Sequence, residues 1–273
     1  MPELPEVHTI VTELNPEISN KTIANVSVYW EKSLYKIFPI DFIQKVKNQK
    51  ILKISRRGKN IVIHLEDAFL VIHLKMSGKL LYFKNRKTID KHERVRFILD
   101  NGYVISFNDV RKFGKIYLTK NMEDFFKNLG VEPLEQDFTK KYLKGFLEKK
   151  LICIKPFLLD QKYIVGIGNI YADEALFLAK INPQNRCCDL NDVDVSNLYF
   201  AIIRVLKNGI LNKGTSLGNS KSNYVNAKNS PGSNQNNLLV YSKENKPCIN
   251  CNSLIKRIKL SGRSTHFCPN CQK

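Results

Sequence analysis

The chain has 273 residues, 43 % of them hydrophobic, with 15 Phe and 11 Tyr, enough apolar material for a sizeable core and two domains. Forty-four Lys and Arg against 25 Asp and Glu leave a net charge of +19. This surplus points to a polyanionic partner, with nucleic acid, a ribosomal contact and an anionic membrane surface all open at this stage. No apolar run is long enough to span a bilayer, and prolines and acids precede the first apolar stretch, so neither a membrane protein nor a secretory leader is expected and a cytoplasmic location is.

At the start, Met1-Pro2-Glu3-Leu4-Pro5-Glu6 runs into Val7, Ile10, Val11 and Leu14 at helical spacing, so a helix is predicted to begin near Pro5. Proline suits a first helical turn, where its missing N–H has no intrahelical partner to lose. Pro2 and Glu3 then sit at the positive end of the helix dipole. If Met1 is removed, Pro2 presents a rigid secondary amine, a nucleophile suited to forming a Schiff base. Taken alone, the segment reads more often as an ordinary helix start with dipole-complementing acids.

From 22 to 118 the pattern is strand-like. Val26, Val28 and Trp30 alternate, and short apolar runs follow at 51–52, 61–65, 70–74, 80–83, 95–99, 103–107 and 116–118. Arg-Gly and Ser-Gly pairs and Asp100-Asn101-Gly102 punctuate them, which predicts antiparallel connections in a sandwich or barrel, with one interposed helix at 41–47. From Met122 the period lengthens to that of helices. Gly130 reads as a helix C-cap, and helices are predicted at 139–149, 153–160, 171–179 and 196–207. Strands segregated from helices argue for an α+β fold with a boundary near 131–138. Residues 214–237 are poor in apolar side chains and rich in Gly, Ser and Asn, a composition that marks a functional or disordered loop.

Four of the seven cysteines lie in the last 26 residues, as Cys248-x-x-Cys251 and Cys268-x-x-Cys271. The spacing is that of a four-cysteine zinc site, and four thiolate ligands leave no position open for water, so one structural zinc is expected. Between them a basic β-hairpin is predicted, with Arg263 near its tip as a phosphate contact. Gly166 and Gly168 precede Asn169 and a helix, an arrangement that brings backbone N–H groups towards a phosphate. Taken alone, the motif reads more readily as a glycine-bearing helix–helix turn. Lys59 follows a basic cluster, His73 and Met76 flank a strand end, and Arg111 and Phe113 share one turn. An exposed apolar wedge beside an arginine is what a protein needs to unstack bases and fill the gap.

Pro-Glu-Leu-Pro-Glu at 2–6, Arg-Arg-Gly-Lys at 56–59, His-Leu-x-Met-Ser-Gly at 73–78, Asn-Asp-x-Arg-x-Phe-Gly at 108–114, Val-Gly-x-Gly-Asn-Ile-Tyr-Ala at 165–172 and the finger together resemble the formamidopyrimidine-DNA glycosylases. The resemblance covers the whole chain. It implies an N-terminal β-sandwich over 1–132, a helix–two-turn–helix domain with a base-capping loop over 133–237, and a zinc finger over 238–273. It implies a monomeric bifunctional glycosylase and abasic-site lyase, acting on oxidised purines in damaged double-stranded DNA. Pro2 would attack C1′, with Glu3, Glu6 and Lys59 in the catalytic set. Lys59, His73, Asn169 and Arg263 would hold phosphates, Met76, Arg111 and Phe113 would enter the duplex, and Lys155 would lie near the lesion.

Four positions depart from the family pattern: Lys75 stands for a usual glycine, Val110 for a proline, Lys112 for an arginine and His8 for a glutamate. Two other readings stay open here. One is an endonuclease VIII-like glycosylase for oxidised pyrimidines, against which Leu4 and the Arg111–Phe113 pair argue. The other is a non-catalytic zinc-finger protein that binds damaged nucleic acid, against which Pro2, Glu3 and Lys59 argue.

Overall fold

The computed structural model describes residues 1–218 and 224–273. The chain divides into two compact units, Met1–Lys127 with Asn212–Gln235, and Asn128–Leu211 with Asn236–Lys273.

The first unit opens with helix α1 (Leu4–Ile18), capped by Glu3 with Pro5 in its first turn. Leu4, Val7, Ile10, Leu14 and Ile18 are fully buried, the single apolar face that the spacing predicted. Strands β1 (Ile23–Val28), β2 (Ile51–Arg57), β3 (Asn60–Leu65), β4 (Phe69–His73), β5 (Gly78–Lys84), β6 (Glu93–Leu99), β7 (Tyr103–Asp109) and β8 (Lys115–Thr119) follow, with helix α2 (Pro39–Val46) between β1 and β2. They form two antiparallel four-stranded sheets, ordered β1-β6-β7-β5 and β2-β3-β4-β8. Alternate side chains, such as Val95, Phe97 and Leu99 on β6 and Ile61 and Ile63 on β3, enter one core shared by both sheets, α1 and α2. This is the sandwich read from the alternation.

Chain from beyond the helices returns to complete this unit. The sequence division assigns residues 212–235 to the helical part, yet they pack with the sandwich. The reason is electrostatic: Glu6 and Glu13 of α1 accept hydrogen bonds from Thr215, Asn226 and Ala227. Part of the loop expected at 216–237, residues 219–223, lies outside the described residues.

Helix α3 (Met122–Phe126) belongs to the first unit. The second holds α4 (Lys140–Leu147), α5 (Ile154–Leu159), α6 (Asn169–Ala179) and α7 (Asp192–Leu211), then the hairpin of β9 (Lys256–Leu260) and β10 (Arg263–Phe267). Thr139 caps α4, its Oγ1 accepting the Tyr142 N–H at 3.0 Å. Gly130 does not end a helix, since α3 is capped at Lys127. A Cβ on Gly130 would stand 2.1 Å from the Tyr163 carbonyl oxygen, so the glycine serves close backbone approach.

Candidate functional site

The capping of α1 builds the first part of the site. Pro2, Glu3 and Glu6 are all buried. Glu6 Oε2 accepts the Glu3 N–H at 2.8 Å, which fixes the chain immediately after Pro2. Its Oε1 accepts the Thr215 N–H at 2.7 Å. One carboxylate therefore ties the amino terminus to the returning chain. Gly214 is needed at this junction: it has φ +81°, and a Cβ there would stand 2.8 Å from Glu6 Cγ and 2.9 Å from the Tyr224 ring.

Lys59 follows Gly58 in the turn between β2 and β3, and it too is buried. His73, at the end of β4, pairs across the sheet with Asn60 on one side and Lys115 on the other. Burial, reinforced by Lys75 and Lys59, depresses its imidazole to about 3. Its Nδ1 accepts the Lys75 N–H at 3.0 Å, so the ring is neutral with its proton on Nε2. It presents one N–H donor over the whole working pH range.

Met76, Arg111 and Phe113, expected to act together, are brought together. The Arg111 guanidinium lies 4.8 Å from the Phe113 ring centroid, and its Nη1 lies 3.3 Å from Met76 Sδ. Met76 is 46 % and Phe113 48 % exposed, so the arginine is flanked by two apolar side chains open to solvent. What holds them was not read from the sequence. Buried Asp109 accepts the Arg111 N–H at 3.1 Å, the Gly114 N–H at 2.6 Å and the Ser77 hydroxyl at 2.5 Å, so it joins the loop carrying Met76 to the loop carrying Arg111 and Phe113. Gly114 fits there because a Cβ would meet Phe107 at 2.5 Å. Two departures from the family pattern adopt left-handed backbone, Lys75 at φ 52° and Lys112 at φ 61°. Lys112 Nζ lies 3.8 Å from the Trp30 ring centroid.

In the second unit, turns lead from α5 into the N-terminus of α6, where Asn169 is the first helical residue and Gly168 the cap. Gln161, also missed in the sequence, braces this loop: its Oε1 accepts the Gly166 N–H and its Nε2 donates to the Ile167 carbonyl. Asn169 Nδ2 donates to the Ser264 carbonyl at 3.0 Å. Lys155 Nζ donates to the same carbonyl at 2.8 Å, to Thr265 Oγ1 at 2.9 Å, and forms an ion pair with Asp173 at 2.6 Å. Lys155 was expected beside the lesion, but it is fully buried with its three protons directed at protein oxygens. These contacts tie α5 to the hairpin and to α6. Arg263, the residue before Ser264, is exposed at the hairpin tip. Ser261 and Gly262 both have positive φ, a two-residue turn of the type that matches strand twist.

The four finger cysteines come together, their Sγ atoms all within 4.8 Å of one another. Cys248 and Cys271 Sγ are 3.9 Å apart, and Cys251 and Cys268 Sγ 3.4 Å apart. Tetrahedral thiolates at about 2.3 Å from zinc stand roughly 3.8 Å from each other, so the cluster fits one structural zinc. Cys248 and Cys268 also pack with Phe177, Val240 and Ile255, so the metal site is part of a small core. Glu174 fixes the chain leading into it, accepting the N–H groups of Leu239, Val240 and Tyr241.

Among the described residues, no helix is long and apolar enough to cross a membrane. Residues 1–116 match the formamidopyrimidine-DNA glycosylase N-terminal domain, residues 129–221 its H2TH domain, and residues 245–273 the zinc finger found in FPG and IleRS. The chain is 39 % identical to the formamidopyrimidine-DNA glycosylase of Protochlamydia amoebophila, over all of both chains. It is 41 % identical to that of Desulforamulus reducens, over 100 % of this chain and 99 % of the relative. Among solved structures, a Lactococcus lactis FPG mutant in complex with Fapy-dG-containing DNA superposes with a TM-score of 0.93 at 35 % identity, over the full length of both. The same relative's complex with an oxidised-pyrimidine-containing DNA gives a TM-score of 0.91 at 35 % identity, again over both full lengths. The chain therefore belongs to the formamidopyrimidine-DNA glycosylase family.

Proposed function

We propose that this protein excises oxidised purines from damaged double-stranded DNA and then cleaves the strand at the resulting abasic site. The observation that carries the reading is the buried Pro2-Glu3-Glu6 cluster, in a chain whose full-length relatives are formamidopyrimidine-DNA glycosylases. An oxidised base has to leave the stack before C1′ is reachable, and Met76, Arg111 and Phe113 fill the vacated space, with Arg111 facing the orphaned cytosine. Lys59, His73, Asn169 and Arg263 hold the flanking phosphates, His73 through its Nε2–H.

Removal of Met1 frees the Pro2 nitrogen. That amine attacks C1′, the C1′–N bond to the base breaks, and the bonding pair leaves with the base as Glu3 delivers a proton. The proline nitrogen then loses its proton and its electron pair breaks the C1′–O4′ bond, with Glu3 helping to protonate O4′, which leaves a Schiff base at C1′. The cation acidifies C2′–H, and loss of that proton expels the 3′ phosphate; a second elimination expels the 5′ phosphate. Glu6 keeps the amino terminus in place throughout. Bound zinc supplies folding energy to the finger and takes no part in these steps. The protein acts inside the cell, as a monomer.

Borohydride trapping on duplexes carrying 8-oxoguanine, a formamidopyrimidine or an oxidised pyrimidine tests this. A covalent adduct that disappears on Pro2→Gly is the expected result, and absence of an adduct on every duplex would sink the enzymatic reading. A second reading, preference for oxidised pyrimidines, draws on the Lactococcus lactis complex with such DNA. Relative trapping yields in the same assay decide between them.

A further inference from the structure

Helix α1 carries Glu6, Glu13 and Glu17 at spacings that place them on one face. The first and last have plain roles, Glu6 as described and Glu17 in a loose pair with Lys228 at 3.7 Å. Glu13 is more demanding. Its Oε1 accepts from Asn226 Nδ2 at 2.9 Å and its Oε2 accepts the Ala227 N–H at 3.1 Å. Asn226 is buried, and its Oδ1 accepts the N–H groups of Lys228 and Ser230 at 3.1 and 2.8 Å, which fixes the orientation of the amide. Residue 13 thus faces two donors, and a single group with two acceptor oxygens satisfies both. Ala227 is pinned from the other side as well, its carbonyl accepting the Tyr82 N–H of β5 at 3.0 Å.

The clamped turn continues into the catalytic end of the helix. The Ser216 hydroxyl donates to the Tyr224 carbonyl at 2.7 Å, and Ser216 Oγ in turn accepts the Gly232 N–H at 3.0 Å. The Tyr224 ring packs on Gly214, beside Glu6 and next to Thr215. We infer that Glu13 is a positioning residue for base recognition: it holds Tyr224–Ala227 against α1, so that the Tyr224 ring keeps its place for the extruded base, while Glu6 stays fixed by its own bond to the Glu3 N–H. This rests on the glycosylase–lyase reading above. The chemistry at C1′ needs only the amino terminus, which Glu13 does not touch.

Two substrates separate these demands. Base excision from an 8-oxoguanine duplex requires recognition of the base, and strand cleavage at a preformed abasic site has no base to recognise. Glu13→Ala and Glu13→Gln in the full-length protein should each lower kcat/KM for excision about tenfold, the effect of losing one or two charge-assisted hydrogen bonds. Cleavage of the abasic duplex should stay within about twofold on the same grounds. The pair Glu13→Gln with Asn226→Asp should restore excision. The introduced glutamine offers its oxygen to the Ala227 N–H and its N–H to the introduced aspartate, whose other oxygen still accepts from Lys228 and Ser230. Equal loss of both activities, no loss of excision, or failure of the pair to restore it would each overturn the inference. Wild-type protein inactive on both duplexes would count instead against the glycosylase–lyase reading.

Discussion

Asp109 lies directly beneath Arg111, its Oδ1 accepting the arginine's own N–H at 3.1 Å, and the carboxylate it offers is buried. Because Ser77 and Gly114 donate to the same carboxylate, one side chain sets the relative positions of all three proposed insertion residues. Asp109→Asn keeps the shape but turns a donor towards at least one of these donors. A loss of about 2–4 kcal/mol in stability is expected from that mismatch. Urea denaturation measures it, and excision should fall further than the stability loss explains at temperatures where the variant is still folded.

His73 makes the stability depend on acid. Its folded pKa, about 3, is depressed below the ordinary 6.5, so the unfolded chain takes up a proton that the native protein refuses. The contribution is fully present above 6.5 and is lost as pH falls towards 3, with a slope of up to about 1.4 kcal/mol per pH unit. Denaturation curves at about pH 7.5, 5.5 and 4.5 should show His73→Asn flattening this dependence. Because His73 stays neutral, DNA affinity near pH 6.5 should show no step attributable to it.

Lys155 separates support from contact. Lys155→Met strands the Asp173 carboxylate, which is buried and shared with His266, so about 3–5 kcal/mol of stability should be lost. A lysine that touched phosphate would behave differently, lowering the salt dependence of DNA binding by roughly one phosphate contact. The expected result is a lower Tm with an unchanged salt slope. Arg263→Ala should give the reverse.

For the finger, elemental analysis should find one zinc per chain. Chelation, or Cys268→Ser, should release it and abolish DNA binding, because the hairpin bearing Arg263 runs directly into Cys268. Binding unchanged in the metal-free protein would refute the finger's role.

Much of this was legible in the sequence. Strand alternation survives because each sheet shows one face to a common core, and the cysteine spacing is set by the tetrahedron it has to build. Pro2, Arg111, Phe113 and Asn169 stand in motifs that read as ordinary structure one at a time and as a site only when taken together. Asp109 was in view, inside one of those motifs, but nothing in a linear pattern says which of several polar residues is buried with three donors around it. Glu13 was hidden for a different reason. Its partners lie more than two hundred positions away, and an acid on a helix face is by default a solvated one. For Lys155 the resemblance implied a place near the lesion, but no linear pattern shows that the buried Asp173 is its ion-pair partner. At Lys75 the sequence marked a departure, and the backbone explains it: φ of 52° is where glycine is at ease and lysine bears about 1 kcal/mol of strain.

The return of residues 212–235 to the first unit has a bearing on how the protein is made. A ribosome that has delivered the first 127 residues has delivered both sheets but not the chain that satisfies Glu6 and Glu13. During translation of the four helices that follow, a nascent sandwich would stand without the donors that Thr215, Asn226 and Ala227 bring to Glu6 and Glu13. Only after about a further hundred residues does the returning chain emerge to supply those donors, when the helices of the second unit have already been made. A chain truncated before that point should yield a half-built sandwich in which Glu6 and Glu13 lack their partners from the returning chain.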